Sequence, residues 1–147
     1  MGTKADFYSG LGSKRDWIGS IYNNGDIWNI PLELLIQVNK VMFEELTTDF
    51  IKEKGGSLSD KNDPWPWLWS DSRMTDYSYI FLPDRNKVFM SIMGNVFLDP
   101  IKIRQGEDEE TSNARIWFPK FPCMDITKAK KTERILEQYG HLSSKIM

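Results

Sequence analysis

Tyr77-Ser78-Tyr79-Ile80-Phe81-Leu82, then Pro83-Asp84-Arg85-Asn86, then Lys87-Val88-Phe89-Met90-Ser91-Ile92-Met93 is the stretch whose reading decides the fold. Two runs of β-branched and aromatic residues flank a four-residue turn signal, which predicts a β-hairpin. Side chains alternate across a strand. Tyr77, Tyr79 and Phe81 therefore share one face, and Ser78, Ile80 and Leu82 share the other. Both faces are apolar enough for a strand covered on two sides, which places it centrally in a sheet.

Downstream of the hairpin, Val96-Phe97-Leu98 reads as a further strand after the Gly94-Asn95 interruption. Asp99-Pro100 bends the chain, and Ile101-Lys102-Ile103 is expected to pair at an edge. The run Glu107-Asp108-Glu109-Glu110 is expected in a solvated loop. Ala114 to Phe118 is another strand, stopped by Pro119. Asp125 suits the cap of a last helix running to about Tyr139, with Gly140 as its stop. Lys128, Lys130 and Lys131 near its start oppose the helix dipole.

Upstream, Ala5 to Tyr8 and Asp16 to Tyr22 read as two short strands. Simple alternation puts Trp17, Gly19 and Ile21 on one face of the second, and Ile18, Ser20 and Tyr22 on the other. A glycine at position 19 predicts the close passage of a large ring or another backbone. Asn23-Asn24-Gly25-Asp26 is a turn. A long helix is expected from Pro31 to Lys54, with Pro31 at its first position and Glu33 in its first turn. Leu35, Val38, Met42, Leu46 and Phe50 form its stripe, widened by Leu34 and Val41, and Gly55-Gly56 ends it. Residues Ser57 to Asp63 read as a polar loop. Two strands, a helix, three or four strands and a helix make an α+β pattern. The expectation is a single domain over residues 1–147, an antiparallel sheet packed on one long helix.

Composition narrows the function. Nineteen basic against 21 acidic residues leave a net charge of −2, so no global field draws the chain to nucleic acid or an anionic membrane. Lys128, Lys130, Lys131 and Arg134 form one local basic stretch, read as a solvated helix face. No apolar run approaches the roughly 20 residues of a membrane span, and the N-terminus carries no hydrophobic signal region. Cytoplasmic residence is the expectation. Cys123 is the sole cysteine and His141 the sole histidine. An intramolecular disulfide, a Cys/His zinc cluster and a histidine-dependent triad therefore lack their parts. Gly10-Leu11-Gly12 lacks the third glycine of a dinucleotide fingerprint. No cofactor or metal is implied.

The segment from Asn62 to Phe81 holds three of the six tryptophans. Trp65, Trp67 and Trp69 alternate with Pro64, Pro66 and Leu68, on a path that proline keeps extended. Ser72, Arg73, Asp71, Asp76 and Tyr77 follow. Two readings stand side by side. The rings form a core plug, with Trp67 and one other indole buried. Alternatively, one ring stays exposed beside Arg73 and Asp71 and receives a nucleobase, a sugar or a partner's side chain. Trp17 and Asp6 are expected nearby. Carboxylates are the only serious catalytic resource: Asp71 and Asp76 as a pair in an aromatic cleft, with Asp6 and Asp16 as groups that the fold can bring to them or that can hold a magnesium ion. The competing role for such aspartates is to accept backbone N–H bonds in turns.

Asp6-Phe7-Tyr8 with Gly10 and Gly12, Trp17-Ile18-Gly19-Ser20-Ile21, the Trp-Pro-Trp block running into Asp71-Ser72-Arg73, and Thr75-Asp76-Tyr77-Ser78-Tyr79-Ile80-Phe81 occur in this order. Together they resemble a family of small uncharacterised proteins of bacteria and their phages, over roughly the first hundred residues. Leu68 stands where that pattern leads one to expect a second proline. The resemblance brings no activity and no catalytic residues, and it implies a phage setting. The leading expectation is a non-enzymatic binding protein. It would block or redirect a host protein, such as a defence protein, or sequester a small polar, nucleotide-like ligand through its aromatic loop. A virion or assembly component, self-associating through the C-terminal helix, is the second. A carboxylate-dependent enzyme on a sugar or nucleotide is the third.

Overall fold

The computed structural model describes residues 2–10, 16–59, 65–69 and 72–117. The expected C-terminal helix, Asp71, Cys123 and His141 lie outside the described residues. Strands β1 (Ala5–Ser9), β2 (Asp16–Ile21), β3 (Ser57–Leu58), β4 (Tyr77–Leu82), β5 (Lys87–Ile92), β6 (Val96–Leu98) and β7 (Asn113–Trp117) form one sheet. Its order is β3-β2-β1-β4-β5-β6-β7. The chain is a single α+β domain, and β4 is the middle strand, as its two apolar faces require. Every neighbouring pair is antiparallel except β1 and β4, which run parallel with Phe7 opposite Tyr79. The sheet is therefore mixed, mostly antiparallel.

The expected single helix from Pro31 to Lys54 is two helices, α1 (Leu32–Leu35) and α2 (Lys40–Glu53). Asn39 causes the break. Its backbone is extended, and its side-chain oxygen accepts the Met42 N–H at 3.1 Å, so α2 starts anew with its own cap. The restart rotates the apolar stripe. Phe43, Thr47, Phe50 and Ile51 face the sheet, at the i, i+4, i+7, i+8 spacing of a helix face. Val38, Val41 and Met42, expected in the core stripe, are exposed, and Leu46 is half-buried. Gly55 and Gly56 end α2 as expected, returning N–H bonds to Lys52 and Ile51.

Helix α2 covers one face of the sheet. Phe43 stacks on Phe81, Phe50 meets Phe7 edge-on, and Phe7 stacks on Tyr79. Gly19 is the place where β3 comes closest: a Cβ there would lie 2.5 Å from the Ser57 carbonyl oxygen and 2.8 Å from Ile51 Cδ1. The backbone foreseen at Gly19 is thus β3, within the stretch read as a polar loop. One face assignment in β2 is corrected. Phe7 and Tyr8 are consecutive, but their partners Gly19 and Trp17 are two residues apart, so Ile18 forms a bulge. Trp17 therefore lies on the same side as Ser20, opposite the helix, and not with Gly19 and Ile21.

Two further expectations change. Ile101-Lys102-Ile103 does not pair at an edge. Asp99 accepts the Ile101 N–H and Pro100 occupies the first turn, so these residues form helix α3 (Pro100–Arg104). Part of the acidic run is also helical. Asp108 caps the single turn α4 (Glu109–Ser112), and its accepted N–H bond from Thr111 holds its carboxyl below the usual value. Arg104 reaches the Ile30 carbonyl at 2.6 Å, and Lys87 pairs with Asp99 at 2.6 Å, tying α3 to the body. No helix among the described residues is long and apolar enough to cross a membrane.

Candidate functional site

The sheet face opposite α2 carries the tryptophan segment, and Asp6 is its centre. Asp6 sits mid-strand on β1 and is fully buried. Alternation on β1 places it beside Tyr8 and away from Phe7. Four donors converge on its carboxylate. Ser20 Oγ and Trp67 Nε1 each donate to Oδ1 at 2.6 Å. Ser72 Oγ and Thr75 Oγ1 each donate to Oδ2 at 2.6 Å.

A second ring of donors stands behind the first. Trp17 Nε1 donates to Ser20 Oγ at 3.0 Å, and Trp69 Nε1 donates to Thr75 Oγ1 at 2.8 Å. The Tyr8 and Ser72 hydroxyls are 2.5 Å apart. Since the Ser72 proton points at Asp6, Tyr8 is the donor of that pair. Each hydroxyl thus accepts from an indole or phenol and donates inward, a chain in which each bond polarises the next. Burial pushes the Asp6 carboxyl above its ordinary value, against the opposing pull of its hydrogen bonds from Ser20, Ser72, Thr75 and Trp67.

This cluster brings together most residues expected at a site. Trp65 and Trp67 are buried, Trp17 is buried against Trp65 with ring centroids 5.3 Å apart, and Ser72 is buried. Trp69 is half-buried, stacked on Trp67 at 5.4 Å. Arg73, Asp76 and Tyr77 are half-buried at the margin. Asp76 accepts the Lys4 backbone N–H at 2.8 Å, and the Lys4 ammonium lies 5.9 Å from the centre of a Trp67 ring. The turn at Gly94 packs on Arg73, where a Cβ would come within 2.3 Å of the Arg73 Cα. The sequence reading missed Ser20 and Thr75 as partners of Asp6, and Tyr8 as the partner of Ser72.

An ionised carboxylate offers about four lone-pair sites. Asp6 has all four occupied by protein donors, so it organises structure and has no lone pair to turn toward a substrate. Among the described residues, no three His, Cys, Asp or Glu side chains gather as they would around a metal ion.

A second feature lies on the helix side. Between Trp28 and Met42, the side chains of Trp28, Leu32, Ile36, Val38, Val41 and Met42 are all exposed, Trp28 at 61% and Val38 at 67%. Leu34 and Leu35 turn inward, so Leu32 and Ile36, four residues apart, share the outer side of α1. Val38 precedes the Asn39 cap, and Val41 and Met42 stand in the first turn of α2. The flank along α2 is acidic: Val41 shares a shallow depression with Glu44, Glu45 and Asp49. An Asn directly before an apolar helical run was the signal for this surface, since a cap at that position divides the helix.

No family model matches the chain, and neither a curated protein nor a solved structure does.

Proposed function

We propose that this chain is a non-enzymatic binding protein that holds a partner protein through the apolar run from Trp28 to Met42. The single observation behind this reading is that run: six large apolar side chains exposed within fifteen residues. Isolated exposed apolar groups are ordinary, but six within one short stretch of chain mark a candidate interaction surface. The occupant fitting its rim is a protein segment with apolar anchors flanked by Lys or Arg. Glu44, Glu45 and Asp49 supply the complementary charge along α2. In the phage setting that the sequence resemblance implies, this partner is a host protein. The saturated Asp6 cluster supports a structural role for the tryptophan segment over a catalytic one.

The test compares the tagged protein with a Val38→Asp/Met42→Asp variant, each purified gently from its host and weighed by native mass spectrometry. The expected result is a stoichiometric partner held by the parent and lost by the variant. Rebuilt from purified components, that complex should weaken as salt rises, since its rim contacts are charged. Equal retention by both forms would move the contact elsewhere on the molecule. A complex made only of copies of this chain would overturn the proposal in favour of the assembly reading.

A further inference from the structure

The parallel pairing of β1 and β4 has a consequence at the end where both strands finish. From β1 the chain leaves at Gly10 toward β2 on one flank. From β4 it leaves at Leu82 toward β5 on the other flank. The parallel pairing brings the carboxyl ends of both strands to the same edge of the sheet. A cavity of about 490 Å³ lies there. That volume is in the range of small-molecule sites, roughly 300–1,000 Å³.

Its lining has a definite chemistry. Leu82, Pro83 and Ile116 supply apolar wall. Lys40 and Arg85 supply two cations, and Asp84 supplies one carboxylate. Lys40 is the first residue of α2, so the positive end of a 14-residue helix adds to the field on that side. Lys40 also pairs with Glu44 at 3.4 Å, an exposed i,i+4 pair of the weakly held kind that a ligand can displace. The Arg85 guanidinium lies 6.0 Å from the Phe89 ring centre.

We infer that the crevice between the diverging ends of β1 and β4 binds a small organic anion. Its carboxylate or phosphate sits with Lys40 and Arg85, and its apolar body lies against Leu82, Pro83 and Ile116. Asp84 selects for a ligand carrying one anionic group, because a second would face it. The inference goes beyond the protein-binding surface; the two adjoin where Lys40 pairs with Glu44.

The experiment is an NMR titration of the full chain with benzoate, phenyl phosphate and neutral benzamide, which share a ring and differ in head group. The expected result is saturable movement of the Gly10, Leu82 and Arg85 amides with at least one anion. Benzamide should bind about tenfold more weakly or worse, and Arg85→Ala and Lys40→Gln should each weaken the anion about tenfold. Both positions are exposed, so these variants keep the fold. Saturation by benzoate or by phenyl phosphate alone identifies the head group. No saturable movement with either anion, equal binding of benzamide, or unchanged affinity in both variants would overturn the site.

Discussion

The tryptophan segment and the stretch from Trp28 to Met42 carry the same kind of side chain and use it in opposite ways. In the first, Trp65 and Trp67 are buried, and the indole N–H groups of Trp67 and Trp69 are directed at Asp6 or a hydroxyl bonded to it. In the second, six apolar groups stay outside although nearby Leu34, Leu35 and Phe43 are in the core. The difference lies in what each segment finds to pack on. A buried carboxylate needs donors, and indoles supply them while filling volume. The outer sides of α1 and α2 have no such demand next to them. An aromatic-rich segment is therefore not the same thing as an exposed one, and the less conspicuous helix carries the surface.

The largest expected effect breaks the comparison on the buried side. Asp6→Ala orphans four donors at once, each costing about 1–3 kcal/mol when left unsatisfied. Urea unfolding should show a loss of at least about 4 kcal/mol, or no cooperative transition at all. A loss below about 1 kcal/mol would mean that the cluster is dispensable. Trp67→Phe keeps most of the ring volume and removes one hydrogen bond to the carboxylate. It should cost about 2 kcal/mol by the same measurement.

A smaller effect concerns pH. Burial raises the Asp6 carboxyl above its ordinary value of 3.8. The folded state then holds its proton to higher pH than the unfolded state does. The stability this adds is complete below about 3.8 and is lost as pH rises through the folded value. With Asp6→Asn as a non-titrating reference, the parent's relative stability should therefore grow on acidification. A gap that shrinks instead would show that the four donors, not burial, govern this proton.

The smallest effect belongs to the exposed side. Val38→Asp and Met42→Asp, the changes that should abolish partner binding, should alter unfolding stability by no more than about 0.5 kcal/mol. A large loss would place these side chains in a packed interface within the chain and remove the contrast between the two regions.

Much of the fold was legible along the chain because its signals are local. The alternation of Tyr77 to Leu82 gave a central strand with two covered faces. Pro83 to Asn86 gave its turn, with Arg85 and Asn86 returning N–H bonds to Leu82 and Pro83. Gly55-Gly56 gave the end of α2, and Gly19 gave a close approach, of a ring or another backbone, which β3 turned out to make. The misread helices share one reason. Asn39, Asp99 and Asp108 each cap a helix that the apolar pattern alone does not announce. A side-chain cap outweighs propensity over such short stretches.

The candidate site divides the same way. Sequence by itself determined that Asp6, Trp17, Trp67 and Ser72 belonged in one account, through the company of rings, hydroxyls and carboxylates. It also determined which catalytic templates lacked their residues. Only the tertiary structure decided that Asp6 takes its donors from residues 14, 61, 66 and 69 positions away. The same holds for the parallel pairing of β1 with β4 and for the bulge at Ile18 that turns Trp17 toward Ser20. Pairings at such separations are selected by how two sheet faces fill, not by any window of sequence. A one-residue bulge moves a side chain to the opposite face without changing a single letter of the alternation pattern.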